Sequence, residues 1–273
     1  MKYLVRLVIF GAACVWLSIF CRAQTDGFKI CKISSDLPFS PEWETTPNNI
    51  PFIKKALSQP FSYLARGSQA FVFASQDGQY VIKLIRYNHI QPSFWEKMTS
   101  PEKCKALEEK FRHDFTSYKI AYEELQEETG LLCIHLNKTD LFCQNLVIVD
   151  KLGISHTLDL DKTEFILQKR AEPLYPHIKK LMNQEQEEMA KTLISHLIFL
   201  LSHQSSKGIM NSDVDLFKNF GCLENQVIEL DVGSLKKGFQ DKEELLKVTE
   251  CLHQRLSQDY PSLDAHLLKE LSS

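Results

Sequence analysis

Apolar residues recur at helical spacing along Leu107, Phe111, Phe115, Tyr118, Tyr122 and Leu125, in steps of four, four, three, four and three. Ser100-Pro101-Glu102 ahead of this stripe offers an N-cap, a proline at the first helical position and an early acid, and Gly130 closes it. The pattern predicts one helix. Upstream the period shortens. Phe61–Phe73 reads as a strand, a turn at Gly67 and a second strand. Gln76-Asp77-Gly78-Gln79 supplies a hairpin turn, and Tyr80–Ile85 is a third strand with Lys83 as its lone charge. Leu131–Leu136, Asn145–Lys151 and Glu164–Lys169 are further strand candidates. Gln184–Ser202 predicts a second amphipathic helix with Met189, Leu193, Leu197, Leu200 and Leu201 inward, and Lys242–Ser257 and Ser262–Leu271 predict a final pair.

The first residues differ from all of this. Lys2 and Arg6 precede an apolar run from Leu7 to Cys21, and Cys21-Arg22-Ala23 puts small residues at the −3 and −1 positions of a cut before Gln24. This describes a secretory signal peptide over residues 1–23, or otherwise an uncleaved anchor over residues 4–21. With Lys2 and Arg6 held in the cytoplasm, the rest of the chain is expected to be exported. Residues 24–50, with Pro38, Pro41 and Pro47 among Ser, Thr and Asn, are expected to be a linker, and residues 51–273 a single domain.

Removing residues 1–23 takes three of the 32 basic residues and none of the 35 acidic ones, which leaves a balance near −6. No basic cluster stands out along the sequence, which argues against nucleic acid as a partner. Six of the eight cysteines follow residue 23, without a CxxC pair, so a zinc site is not expected. Export permits disulfides, with Cys133 and Cys143 one candidate pair, but buried small hydrophobes is the reading favoured for most of them. Asn137-Lys-Thr139 is a glycosylation sequon should the source be eukaryotic.

Candidate chemistry lies between Asn211 and Gly233. Asp213, Asp215 and Asn219 come first, then the apolar run Val227–Leu230 leads into Asp231-Val232-Gly233. Carboxylate and amide oxygens are hard ligands suited to Mg²⁺, which keeps its other positions for water and phosphate. This segment, together with the strands around Gly67 and Lys83, resembles the protein kinase-like superfamily in a divergent, shortened form, with Asp231-Val232-Gly233 in place of Asp-Phe-Gly.

The resemblance implies an α+β, two-lobed kinase-like fold, with an antiparallel sheet lobe over about residues 51–170 and a shortened helical lobe over about 171–273. Glu164–Lys169 and Ala171-Glu-Pro-Leu would form the hinge. It implies ATP and Mg²⁺ as cofactors and transfer of phosphate to an unknown hydroxyl acceptor, small molecule or protein. Gly67 would let the backbone approach phosphate, Lys83 would pair with phosphate and with a helix Glu, and Asn219 and Asp231 would hold metal. Glu108 is the chosen partner of Lys83, because it shares a helical face with Phe111 and Phe115. Asp213 is the expected catalytic Asp, with Asp215 the alternative. Asn211-Ser-Asp213 and Lys218-Asn219-Phe also resemble the catalytic loop of bacterial toxin-type kinases. The chain departs from the family pattern in three ways. The glycine loop is reduced to Arg66-Gly67-Ser68-Gln69-Ala70, the His-Arg before the Asp is replaced by Asn211-Ser212, and Asn219 lies six residues after Asp213 rather than five. Only 40 residues follow Gly233, with no Ala-Pro-Glu motif. An atypical or small-molecule kinase is therefore expected, or alternatively a catalytically inactive pseudokinase-type binding module.

Overall fold

The computed structural model describes residues 2–92, 94–211, 215–238 and 242–272. Helix α1 (Lys2–Gln24) is followed by two single-turn 3-10 segments and a short α2 (Ile50–Ala56), whose N-cap Asn49 accepts the Phe52 N–H. The meander β1 (Phe61–Arg66), β2 (Ala70–Ser75) and β3 (Tyr80–Ile85) follows, then α3 (Phe94–Thr99) and the long α4 (Pro101–Glu124). The expected continuation of that helix to Gly130 breaks at Leu125. A one-turn α5 (Gln126–Thr129) completes it, and Gly130 takes the left-handed conformation that ends it. Strands β4 (Leu131–His135), β5 (Asn145–Val149), β6 (Ser155–Asp159) and β7 (Phe165–Lys169) come next. After the two-residue β8 (Glu172–Pro173) run α6 (Leu174–Asn183) and α7 (Glu187–Ser206). The chain closes with β9 (Ile209–Asn211), β10 (Phe220–Leu223), β11 (Gln226–Glu229), β12 (Leu235–Lys237), α8 (Lys242–Asp259) and α9 (Pro261–Ser272).

The result is a mixed α+β fold, a seven-stranded sheet of order β4-β7-β3-β2-β1-β5-β6 accompanied by a helical part. The chain forms two compact units, residues 1–101 with 135–166 and residues 102–134 with 167–273. The division thus crosses the chain three times, where the sequence reading expected one boundary near residue 170.

In the first unit β1, β2 and β3 pair antiparallel, with Val72 opposite Lys83, while β1 and β5 run parallel with Phe61 opposite Ile148. Phe61, Phe71, Phe73, Ile82 and Leu84 are fully buried, each worth roughly 1.5–3 kcal/mol of transfer free energy. The Asp77-Gly78 turn forms as expected. Gly78 has φ +72°, and the Asp77 carboxylate accepts from Ser75 and Gln79. Residues 24–50 are no loose linker. Phe28, Ile33 and Trp43 are buried, and Phe28 packs edge-on against Phe71 and Phe73. Asn137, the sequon residue, is buried with both ends of its amide bonded to the Ser40 backbone, so the folded chain does not offer it as an acceptor.

Asp161 fixes the loop before β5, accepting from the Phe142 N–H at 2.8 Å, the Cys143 N–H at 2.6 Å and the Thr139 hydroxyl at 2.9 Å. Burial pushes this carboxyl up, but the donors outweigh it and hold it below the ordinary value. The stability this adds is present above the unfolded carboxyl pKa and is lost as pH falls through the lower, folded one. Asp161→Ala is therefore expected to cost about 3 kcal/mol at neutral pH. In urea titrations the difference from wild type should shrink below about pH 4, where the unfolded carboxyl takes up its proton.

The second unit is built on α7. Leu193, Leu197, Leu200 and Leu201 are buried as the pattern predicts, whereas Met189, expected inward, is exposed. They pack with Leu174, Tyr175 and Ile178 of α6, Phe220 of β10, Leu252 and Leu256 of α8 and Leu263 and Leu267 of α9. Strands β8, β10 and β11 form one small sheet, and β9 and β12 another. Every cysteine is a free thiol, including Cys133 and Cys143. Burial pushes the Cys133 thiol up to about 12, which makes it inert.

Candidate functional site

In the first unit the β1–β2 turn is closed by its own backbone. The Gly67 N–H donates to the Ala70 carbonyl at 2.9 Å, and the Arg86 guanidinium donates to the Gly67 and Ser68 carbonyls at 2.6 and 3.0 Å. Arg86 is buried with its guanidinium 5.0 Å from the centre of the Phe71 ring. Burial, and then Arg66 and Arg22, pull its pKa below the ordinary value. A Cβ on Gly67 would meet the Ala70 carbonyl at 3.4 Å, an ordinary contact. Lys83 is half-buried on β3, with Val81 and Ile85 buried on its own face. Ile85 pairs with Ala70 at the turn, so Lys83 lies two residues, about 7 Å, along the strand from it.

In the second unit a hairpin sets the spacing of the candidate metal ligands. Strands β10 and β11 pair Phe220 with Glu229, and one step further the Leu230 N–H donates to the Asn219 carbonyl at 2.6 Å. Asn219 therefore stands opposite the residue next to Asp231. Asn219 is buried and Asp231 half-buried, its carboxylate accepting the Gly233 N–H at 3.2 Å. Helix α4 holds this turn from within the same unit. The Ser117 hydroxyl donates to the Val232 carbonyl and accepts the Leu235 N–H, both at 2.6 Å. These are hard oxygen donors of the type Mg²⁺ takes, and they fit it only with water and phosphate completing the shell. Among the described residues no three His, Cys, Asp or Glu side chains are grouped to hold a metal.

One expectation needs correction. Glu108 does not border the buried stripe. Its side chain is 68% exposed and lies 4.0 Å from Arg112, one helical turn on. The buried face of α4 begins later, at Asp114 and Phe115, because Leu107 and Phe111 are themselves only half-buried. Asp114 is the carboxylate on that face. Burial raises it to about 6, and the charge of Asp231 adds to the shift against His113 and Lys110. Asp215, the alternative to Asp213, shapes a turn. It accepts from the Phe217 N–H at 3.0 Å and from Lys218 at 2.7 Å, and Lys218 holds its carboxyl below the ordinary range. Asp213 lies outside the described residues.

A buried carboxylate that the sequence reading passed over sits beside these groups. Glu229 is fully buried in β11, with Oε1 bonded to the Asn211 amide and Oε2 to the Gln204 amide at 2.6 Å. The Gln168 amide bridges the Glu229 and Thr129 carbonyls. The signal is in the sequence, since an acid inside the apolar run Val227–Leu230 is costly to bury without partners. Elsewhere in this unit a hollow of about 400 Å³ is lined by Glu127, Glu128, His196, Phe199 and His203, and none of the expected site residues borders it.

No family model and no curated protein matches the sequence. Among solved structures the chain is similar to the bifunctional kinase-methyltransferase WbdD. The similarity covers 75% of the chain at 12% identity with a TM-score of 0.38 in one structure, and at 11% and 0.42 in a second, of the monomeric form. It spans less than half of those chains, 43% and 45%.

Proposed function

We propose that the protein is a kinase-like phosphotransferase that uses Mg²⁺-ATP to phosphorylate a hydroxyl acceptor. The observation that supports this best is the β10–β11 register, which brings Asn219 beside the Asp231 turn that Ser117 clamps. When bound, Mg²⁺ supplies charge for the phosphate oxygens and the nucleotide supplies the transferable group. In this chain Asn219 and Asp231 would hold the metal, and Lys83 would neutralise phosphate from β3. Asp213 would orient the acceptor hydroxyl and receive its proton. Most of the rate would then come from positioning and fixed charge.

One observation favours a second reading, a nucleotide-binding module without turnover. The β1–β2 turn spends its Gly67 N–H on the Ala70 carbonyl, which takes one backbone donor from its grip on phosphate. Thermal melting of the full chain in mild detergent tests the shared part of both. At Mg²⁺-ATP a hundredfold above its Kd the midpoint should rise by roughly 5–10 °C, and Lys83→Ala should remove most of that rise. Absence of any rise at several millimolar nucleotide would refute both readings.

A further inference from the structure

Among the described residues one helix is long and apolar enough to cross a membrane, Arg6–Gln24 within α1, and none of it is buried by the protein. At 1.5 Å per residue the 15 uncharged residues Leu7–Cys21 reach about 22 Å, and snorkelling of Arg6 and Arg22 at the two ends makes up the rest of a hydrocarbon layer of about 30 Å. Tyr3, Leu7, Phe10, Trp16 and Phe20 all stand exposed along it.

The helix ends against the folded first unit. It stops in a tight turn, with the Thr25 N–H on the Cys21 carbonyl, the Gly27 N–H on the Arg22 carbonyl, and Asp26 and Gly27 at positive φ. The next residue, Phe28, is already core, and Asp26 is tied to Tyr63 at 2.8 Å and Lys151 at 2.9 Å. Three residues separate helix from core, all inside the first unit.

Cations collect on that turn. Lys32 donates to the Gly27 carbonyl at 2.6 Å and Arg66 to the Asp26 carbonyl at 3.0 Å. A Cβ on Gly27 would come within 4 Å of both Lys32 Nζ and the Arg22 guanidinium. Lys29 follows Phe28, and Arg22, Lys29 and Arg66 are exposed. The positive field is dense enough that burial together with Arg22, Arg86, Lys29 and Arg66 lowers the Lys32 pKa. Arg22, Lys29 and Lys32 lie within eleven residues of one another, and the fold adds Arg66 to them.

We propose that α1 is a retained membrane anchor and that Arg22, Lys29, Lys32 and Arg66 at its body end bind the phosphate headgroups of an anionic bilayer. The apolar helix takes the hydrocarbon, and the short turn leaves the cations no distance to travel before they meet the headgroup layer. Each cation near such a surface strengthens the contact about fivefold, and salt screens it.

The test uses the full chain reconstituted in pure phosphatidylcholine vesicles and in equimolar phosphatidylcholine–phosphatidylglycerol vesicles. Carbonate washing should leave it in both, and extraction from both would overturn the anchor. An impermeant amine reagent then reports, by mass spectrometry, modification of Lys29 relative to Lys269 on α9. The ratio should be at least fivefold lower on the anionic vesicles, and high salt should restore it. The Arg22→Gln/Arg66→Gln variant should show a much smaller difference. Equal ratios in the two vesicles for the wild-type chain would overturn the headgroup contact, whatever the variant does.

Discussion

Replacing Glu229 by Ala should lower the unfolding free energy by about 3–5 kcal/mol, because two buried amide donors would lose a charged acceptor and a cavity would open between them. Asn211 comes from β9 and Gln204 from α7, so the carboxylate ties three elements of the second unit at one point. Glu229→Gln keeps the shape and one acceptor oxygen, but turns an NH₂ group towards one of the two donors. It should cost about 1–2 kcal/mol. Urea titration followed by tryptophan fluorescence and by circular dichroism separates the two variants. A loss below about 1 kcal/mol for Glu229→Ala would show that the network relaxes around the gap.

Asp231→Ala should behave in the opposite way. The bond its carboxylate makes inside the turn is to the Gly233 N–H, and an exchange of that kind costs about 1 kcal/mol, so the fold should survive. Function should not. Under the proposed reading Asp231 is the only carboxylate assigned to the metal, and removing it is expected to lower Mg²⁺-dependent ATP turnover about a thousandfold or more. Hydrolysis to water by the full chain provides the assay before the acceptor is known. A variant within tenfold of wild type would exclude Asp231 as the metal ligand. Nucleotide-dependent melting with no turnover in the wild type would instead favour the binding-module reading.

Much of the fold is legible in the sequence because apolar period reports burial directly. β1 to β3, β7, α7, α8 and α9 all appear where their patterns put them, with ends shifted by a few residues. What was missed has physical causes. Ala171-Glu-Pro-Leu reads as a connection, yet a proline at a helix cap removes an N–H that has no helical partner there, and α6 starts at Leu174. Strand β6 is short and half-exposed, with no apolar run to betray it. Residues 24–50 looked like a linker by composition, but three buried aromatic and aliphatic side chains anchor them, and composition averages such points away.

The site was legible only in part. Asn219 and Asp231 are separated in sequence by eleven residues, and the hairpin between them follows from the apolar run and the Glu224-Asn225 turn, both at positive φ. Helical phase, by contrast, misplaced Glu108, because a stripe read from six apolar residues treats Leu107 and Phe115 as equally buried. They are not, and the inward face of α4 starts two turns later than its pattern.

Ser117 gives the second unit a mechanical property as well as a stable one. A hydroxyl that donates to one side of a turn and accepts from the other is a rivet, satisfied in both directions at a single rotation of the side chain. Turning α4 by one residue, about 100°, would break both bonds together. Helix α4 and the Asp231 turn should therefore move as one piece or not at all, and a ligand that shifts the turn has a 24-residue lever already attached to it.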